Sequence, residues 1–225
     1  MTPTQAVKLF LFHLAALFPL VNPFDTVPLF LAVTRRSTAS ERATTAFRAC
    51  FVATLMMLAT LFVGHALMTF LEVSLSSVRI AGGLISVALG FMMLFQNQEV
   101  TSEKPAVDRG PDADYALMPL AFPSLCGAGV MAILMSISAR ISEATTLTTR
   151  AWDYGVAIAA ILVVGALSWV ILRSSLAVST KLGSRGIDAL AKLMGMVLVC
   201  IGVQLVATGV AGFITDPPKP ALIAV

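Results

Sequence analysis

The stretch Pro19-Leu20-Val21-Asn22-Pro23-Phe24-Asp25-Thr26-Val27-Pro28 carries three prolines inside an apolar run. Residues 9–24 and 26–34 are uncharged and only Asp25 divides them. A membrane helix needs about 20 mainly apolar residues, so this run is long enough to cross a bilayer. Proline lacks an N–H and its ring clashes with the preceding turn, so Pro19 and Pro23, four apart, predict a helix that breaks. Broken backbone at membrane depth is tolerated only where protein buries it or it lines a wet cavity. The pattern occurs twice. Leu17-Phe18-Pro19-Leu20-Val21-Asn22-Pro23 and, 100 residues on, Leu117-Met118-Pro119-Leu120-Ala121-Phe122-Pro123 both read L-x-P-L-x-x-P.

Working outward, further uncharged runs cover 49–71, 80–98, 115–139, 154–172 and 193–215, which predicts six spans. The connections fall at 35–48, 72–79, 99–114, 140–153 and 173–192. Of the 225 residues 58% are apolar and 12% charged, against about 45–50% and about 25% in soluble domains. A soluble fold of this size has no interior large enough for that surface. The composition therefore excludes a soluble enzyme, a nucleic-acid-binding module and a disordered regulator. The formal charge of +3 marks cytoplasmic loops rather than a nucleic-acid partner. The third run is short once Gln96-Asn97-Gln98 is removed, so its span is expected to start near Val73. That places Arg79 roughly 9 Å along the helix, either snorkelling at the interface or facing a partner.

The first, third and fifth connections hold ten Lys and Arg, and the opposite side holds five. The positive-inside rule then puts both termini outside the cytoplasm. The first apolar segment has neither a basic leader nor an A-x-A site, so the first span is expected to stay in the mature chain. Cys50, Cys126 and Cys200 form no C-x-x-C pair and read as small packing residues.

The third and sixth spans match as well: Gly83 and Gly90 in one, Gly195 and Gly202 in the other, seven apart in each. The fold class expected is all-α integral membrane, six helices in two three-helix repeats, with the first and fourth helices broken. Residues 1–98 form the first repeat, 99–114 a charged cytoplasmic linker and 115–225 the second repeat. A repeat of three spans must enter again from the opposite face, so the halves are inverted. Inverted repeats with interrupted helices point to a secondary transporter with a midplane site.

The two breaks supply the candidate ligands. Half-helix N-termini offer free N–H groups and a positive dipole end to a carboxylate. Freed carbonyls, Asn22, Asp25 and the Thr26 and Ser124 hydroxyls suit an ammonium group, Na⁺ or H⁺. A zwitterionic amino acid fits the pair, and Asn22, Pro23, Asp25, Thr26, Pro123, Ser124, Gly127 and Gly129 are the expected substrate-binding residues. An intramembrane carboxylate costs about 2.5–3.5 kcal/mol to insert. Asp25 is accordingly read as a cation ligand, a proton carrier or a partner of Arg79, against the plainer role of capping the helix after Pro23. Gly82, Ser86 and Gly90 form a small-residue stripe suited to helix packing. Arg79, Gly82, Gly83 and Gln204 are candidates for a charge partner or for cavity lining. His13 and His65 are both placed toward the outer face.

As a set these residues resemble the MarC family, also called UPF0056 or the neutral amino acid transporter family and grouped with LysE-type exporters. The resemblance runs along the whole chain. It rests on Asn22-Pro23 with Pro28 and Phe30, Arg79-Ile80-Ala81-Gly82-Gly83, Pro119-Leu120-Ala121-Phe122-Pro123, Gly127-x-Gly129, Leu193-Met194-Gly195 and Ile201-Gly202-Val203-Gln204. It implies an inner-membrane protein that moves glycine- or alanine-like substrates. Relatives commonly have Gly or Thr at the position of Asp25, which implies that this carboxylate is not the family's common coupling group. They commonly have Gly-Pro-Gly where this chain has Gly127-Ala128-Gly129, which implies a softer second break.

The function expected is a multipass inner-membrane secondary transporter for small neutral amino acids, coupled to H⁺ or Na⁺ or working as an exporter. The alternative is a channel or a non-transporting membrane assembly factor. An enzyme is not expected: the chain has no G-x-S-x-G, H-E-x-x-H or C-x-x-C and no intramembrane carboxylate pair. No metal or organic cofactor is expected beyond a coupling ion, and the partners are the substrate and the lipid bilayer.

Overall fold

Residues 3–33 form two helices end to end, α1 (Pro3–Val21) and α2 (Pro23–Val33), joined at Asn22. They belong to a computed structural model that describes residues 3–35, 37–95, 116–142 and 146–215. The chain continues through α3 (Ala39–Phe70), α4 (Leu75–Phe95), a π-type helical segment (Ala116–Leu125), α5 (Ala128–Ser142), α6 (Leu147–Arg173) and α7 (Ser175–Thr215). The expected linker over 99–114 lies outside the described residues.

Both breaks follow from the rule that the residue before proline avoids the α conformation. Asn22, before Pro23, adopts the left-handed conformation (φ 40°, ψ 67°), which Asn tolerates better than other non-glycine residues. Phe122, its counterpart before Pro123, is extended (φ −129°, ψ 129°), as is Met118 before Pro119 (φ −128°, ψ 123°). Phe18 precedes Pro19 yet stays within α1, so the first break is confined to one residue. The second spreads over 116–127 and is the wider of the two, whereas the Gly127-Ala128-Gly129 sequence had implied a softer one.

Helix ends differ from the expected charge-free runs. α3 takes in Arg42 and Arg48, and α6 takes in Arg150 and Asp153. α4 starts at Leu75, close to the expected Val73 and ahead of the charge-free run, with Ser74 Oγ accepting the Ser77 N–H at 3.1 Å. The charged connection 173–192 is helical from Ser175, interrupted at Gly183 (φ 66°, ψ 175°) in a conformation reserved for glycine. Among the described residues five stretches are long and apolar enough to cross a membrane: 4–33, 39–70, 75–95, 147–173 and 188–215. The fourth run is divided between the π-type segment and the shorter apolar α5.

Two arginines tie helix starts to the helix ends before them. Arg42, in the first turns of α3, donates Nε–H to the Thr34 carbonyl at 3.0 Å and Nη2–H to the Arg35 carbonyl at 3.3 Å. Arg150, in the first turn of α6, donates Nη2–H to the Ser142 carbonyl at 2.8 Å. Each arginine reaches back eight residues to the end of the preceding half-helix and satisfies carbonyls that the helix end leaves open. Thr38 completes the α3 start with a capping box: it accepts the Glu41 N–H and its own N–H goes to Glu41 Oε2.

The core is built by α1, α2, α3, the π-type segment, α5 and α6, around Leu17, Phe30, Leu61, Leu120, Leu134 and Ile161. Cys50 and Cys126 pack in it as expected, but Cys200 is exposed on α7. α4 and α7 add few large buried side chains and instead lie antiparallel against each other through small residues. A Cβ on Gly83 would stand 2.6 Å from the Gly202 carbonyl, and one on Gly202 would stand 2.7 Å from the Gly83 carbonyl. Gly90 and Gly195 meet the same way, at 2.7 and 3.1 Å, and Gly209 meets the Ser76 carbonyl at 2.9 Å. The seven-residue spacing keeps these contacts on one seam of two helices that wind gently around each other.

Candidate functional site at the paired helix breaks

Three contacts fix the depth of the breaks. A Cβ on Gly129, at the start of α5, would lie 2.8 Å from Ser86 Oγ and 3.2 Å from Leu20 Cδ2. Ser86 is fully buried and lies at the middle of α4, with its hydroxyl donating to the Gly82 carbonyl at 2.7 Å. Asn22 Nδ2–H points at Met93 Sδ, 3.4 Å away and near the far end of α4. α5 therefore begins halfway along α4, beside the last turn of α1, and the two breaks abut within the bundle.

The sequence signal for α5's position was the stripe Gly82, Ser86, Gly90, and it divides in two. Gly82 packs on Ala132 and Ser86 on Gly129, both on α5, whereas Gly90 joins Gly83 against α7. Gly82 and Gly83 are thus spent on two different close approaches. α5 runs from Ser86 toward the start of α4, where Arg79 donates Nε–H to Ser136 Oγ at 3.0 Å. α1 and α2 run the other way, from Leu20 at the level of Ser86 to Asn22 at the level of Met93.

This register corrects the pairing of Arg79 with Asp25. Met93 lies 14 residues beyond Arg79, about 21 Å along α4, and Asp25 lies beyond Asn22 on the Met93 side. An arginine side chain cannot span that gap. Asp25 is not the cap either. Asn22 occupies the N-cap position of α2, with Pro23 at the first helical position and Asp25 in the first turn. There its charge complements the positive end of the helix.

Asp25 is solvent-accessible in the first turn of α2. Pro23 and Thr26 are buried beside it, and Phe18 and Phe24 meet edge to face across the break at 6.3 Å. On the second break Ser124 and Gly127 are half-buried, Ala128 is exposed and Gly129 is buried. The backbone of Pro123 lies in the second break. Gln204 is exposed on α7. His65 donates its backbone N–H to Ser138 Oγ at 3.2 Å and His13 is buried near Arg140, so both histidines sit at the Arg79 end. Among the described residues no three His, Cys, Asp or Glu converge as metal ligands would.

Asn22, expected as a ligand, does not spend its side chain on the helix it starts. Asn is a favoured N-cap because its side-chain oxygen usually takes an N–H of the first turn. Here the Asp25 N–H goes to the Asn22 backbone carbonyl instead, at 3.2 Å, and the Asn22 side chain caps nothing. Its Oδ1 is buried without a hydrogen-bond donor from the protein.

The profile described as "MarC family integral membrane protein" matches residues 7–214 of this chain. The chain belongs to the MarC family. Relatives named "UPF0056 inner membrane protein MarC" from Escherichia coli O1:K1, Escherichia coli strain K12 and Shigella flexneri are 34% identical to it over 206 residues, covering 88% of this chain and 91% of theirs. No solved structure matches. Family membership makes the chain an integral membrane protein, in agreement with its five long apolar helices. The MarC relatives carry the inner membrane in their names.

Proposed function

We propose that this MarC-family chain is an inner-membrane secondary transporter for small neutral amino acids of the glycine and alanine kind, coupled to H⁺ or Na⁺ or working as an exporter. One observation carries the reading: two helices, each interrupted before the second proline of the same motif, abut through Leu20, Gly129 and Ser86 at the middle of α4. Interrupted helices meeting at mid-bundle are how transporters present backbone polar groups to a polar substrate inside a membrane.

Two inverted three-helix repeats account for more than the motif. Under that symmetry Arg42 of α3 corresponds to Arg150 of α6, and both reach back eight residues to the end of the preceding half-helix. Gly83 and Gly90 of α4 correspond to Gly195 and Gly202 of α7. The contacts pair Gly83 with Gly202 and Gly90 with Gly195, as a two-fold axis between the helices requires. In this arrangement the π-type segment with α5 is the fourth of six crossings. The bias of Lys and Arg puts both termini outside the cytoplasm.

The substrate class follows from the groups at the breaks. The N-terminus of α5 presents N–H groups at Ala128, Gly129 and Val130 to a carboxylate, while the freed carbonyls of α1 and the Thr26 and Ser124 hydroxyls present oxygens to an ammonium group. The test is counterflow: purified protein in proteoliposomes loaded with unlabelled glycine should take up labelled glycine and alanine and ignore leucine, lysine and glutamate. Uptake of none of them by folded protein would overturn the reading.

A further inference from the structure

We propose that the α1–α2 break holds a Na⁺ ion, with Asn22 Oδ1 as a ligand and Asp25 as the neutralising charge. Three features of the break favour a small cation over an anion, and all are oxygens short of donors. Asn22 is 6% exposed, its Nδ2–H faces Met93 Sδ at 3.4 Å, and its Oδ1 has no donor from the protein. Pro23 has no N–H to return to the Pro19 carbonyl, and α1 ends at Val21, which turns the negative end of its dipole toward the break. Asp25 stands three residues after Asn22, in the first turn of α2, and is solvent-accessible.

The backbone at Asn22 is what frees the amide for this role. A conventional N-cap has extended backbone and spends its side-chain oxygen on the helix. The left-handed conformation (φ 40°, ψ 67°) leaves the helix served by the Asn22 main-chain carbonyl and the amide oxygen unused. Buried polar oxygens are rarely left unpaired, because doing so costs about 1–3 kcal/mol. Unwound carbonyls and half-helix C-termini are the groups that coordinate Na⁺ in interrupted membrane helices.

Such an ion would be the coupling ion of the transporter proposed above, but its binding is measured without transport, so the two readings fail separately. Purified protein in detergent is unfolded thermally in sodium, potassium or choline chloride at constant ionic strength. The expected result is a saturable rise in Tm with Na⁺ alone. Asn22→Gly keeps the left-handed backbone and should abolish the rise, while Asn22→Asp keeps an oxygen ligand, adds charge and should lower the Na⁺ concentration for half-saturation. Equal Tm values in sodium and choline would overturn the site. So would an undiminished Na⁺ response in Asn22→Gly, or an unchanged half-saturation in Asn22→Asp. Stabilisation by glycine with no response to Na⁺ would also overturn it and assign the amide to the substrate's ammonium group.

Discussion

Ser86 Oγ stands 2.8 Å from the point where a Cβ on Gly129 would lie, which makes glycine at 129 the condition for α5 to begin against the middle of α4. The contact joins the third crossing to the start of the half-helix after the second break, and Leu20 completes it from the first.

Gly129→Ala should therefore destabilise the protein by about 1–3 kcal/mol, the usual cost of overpacking. Ser86→Ala removes the hydroxyl and leaves Cβ 4.0 Å away, an ordinary contact. The double variant should recover much of the loss, since the remaining neighbour is the flexible end of Leu20. Thermal unfolding of the four proteins gives the coupling directly, and strict additivity would show that the two residues are not in contact.

The seam between α4 and α7 predicts a different pattern. Gly83→Ala and Gly202→Ala each drive a methyl group into a backbone carbonyl, at 2.6 and 2.7 Å, which no side-chain rotation relieves. Each should lower Tm markedly. Gly155→Ala in α6 meets nothing within 4 Å and should leave Tm unchanged or raise it, because alanine favours helix by about 1 kcal/mol. Equal effects at the three sites would contradict the seam.

Arg79 and Asp25 should behave independently. With about 21 Å of helix between their levels, Asp25→Asn and Arg79→Gln should have effects on stability that add within about 0.5 kcal/mol. A larger coupling in the double-mutant cycle would restore the ion pair. Arg79→Gln alone should be destabilising through loss of the Ser136 bond.

Arg42→Gln and Arg150→Gln should be matched in sign. Arg42 gives up two bonds to the end of the preceding half-helix and Arg150 gives up its bond to Ser142, and about 1 kcal/mol per bond is expected. Thermal unfolding checks this. A large loss at one site and none at the other would mean that the two turns are not equivalent.

Both breaks were legible because proline constrains the residue before it, and Asn22 and Phe122 are where the helices fail. What periodicity could not supply was the partner of each face: Gly82, Ser86 and Gly90 share a stripe, yet two of them meet α5 and one meets α7. Charge misplaced the helix ends, because Arg42 and Arg150 lie inside helices while their guanidinium groups close the preceding ones. Asn22 was legible as a candidate ligand, whereas its left-handed backbone, which leaves its side chain out of the cap, carried no sequence signal.

The most direct test of the transporter reading is accumulation against a gradient. Proteoliposomes containing the purified protein are given an imposed H⁺ or Na⁺ gradient, and labelled glycine inside is compared with glycine outside. Concentration above the external level that collapses with the ion gradient is the predicted result. Equilibration to the external level and no further, whatever the gradient, would contradict it and make the paired breaks the wall of a channel.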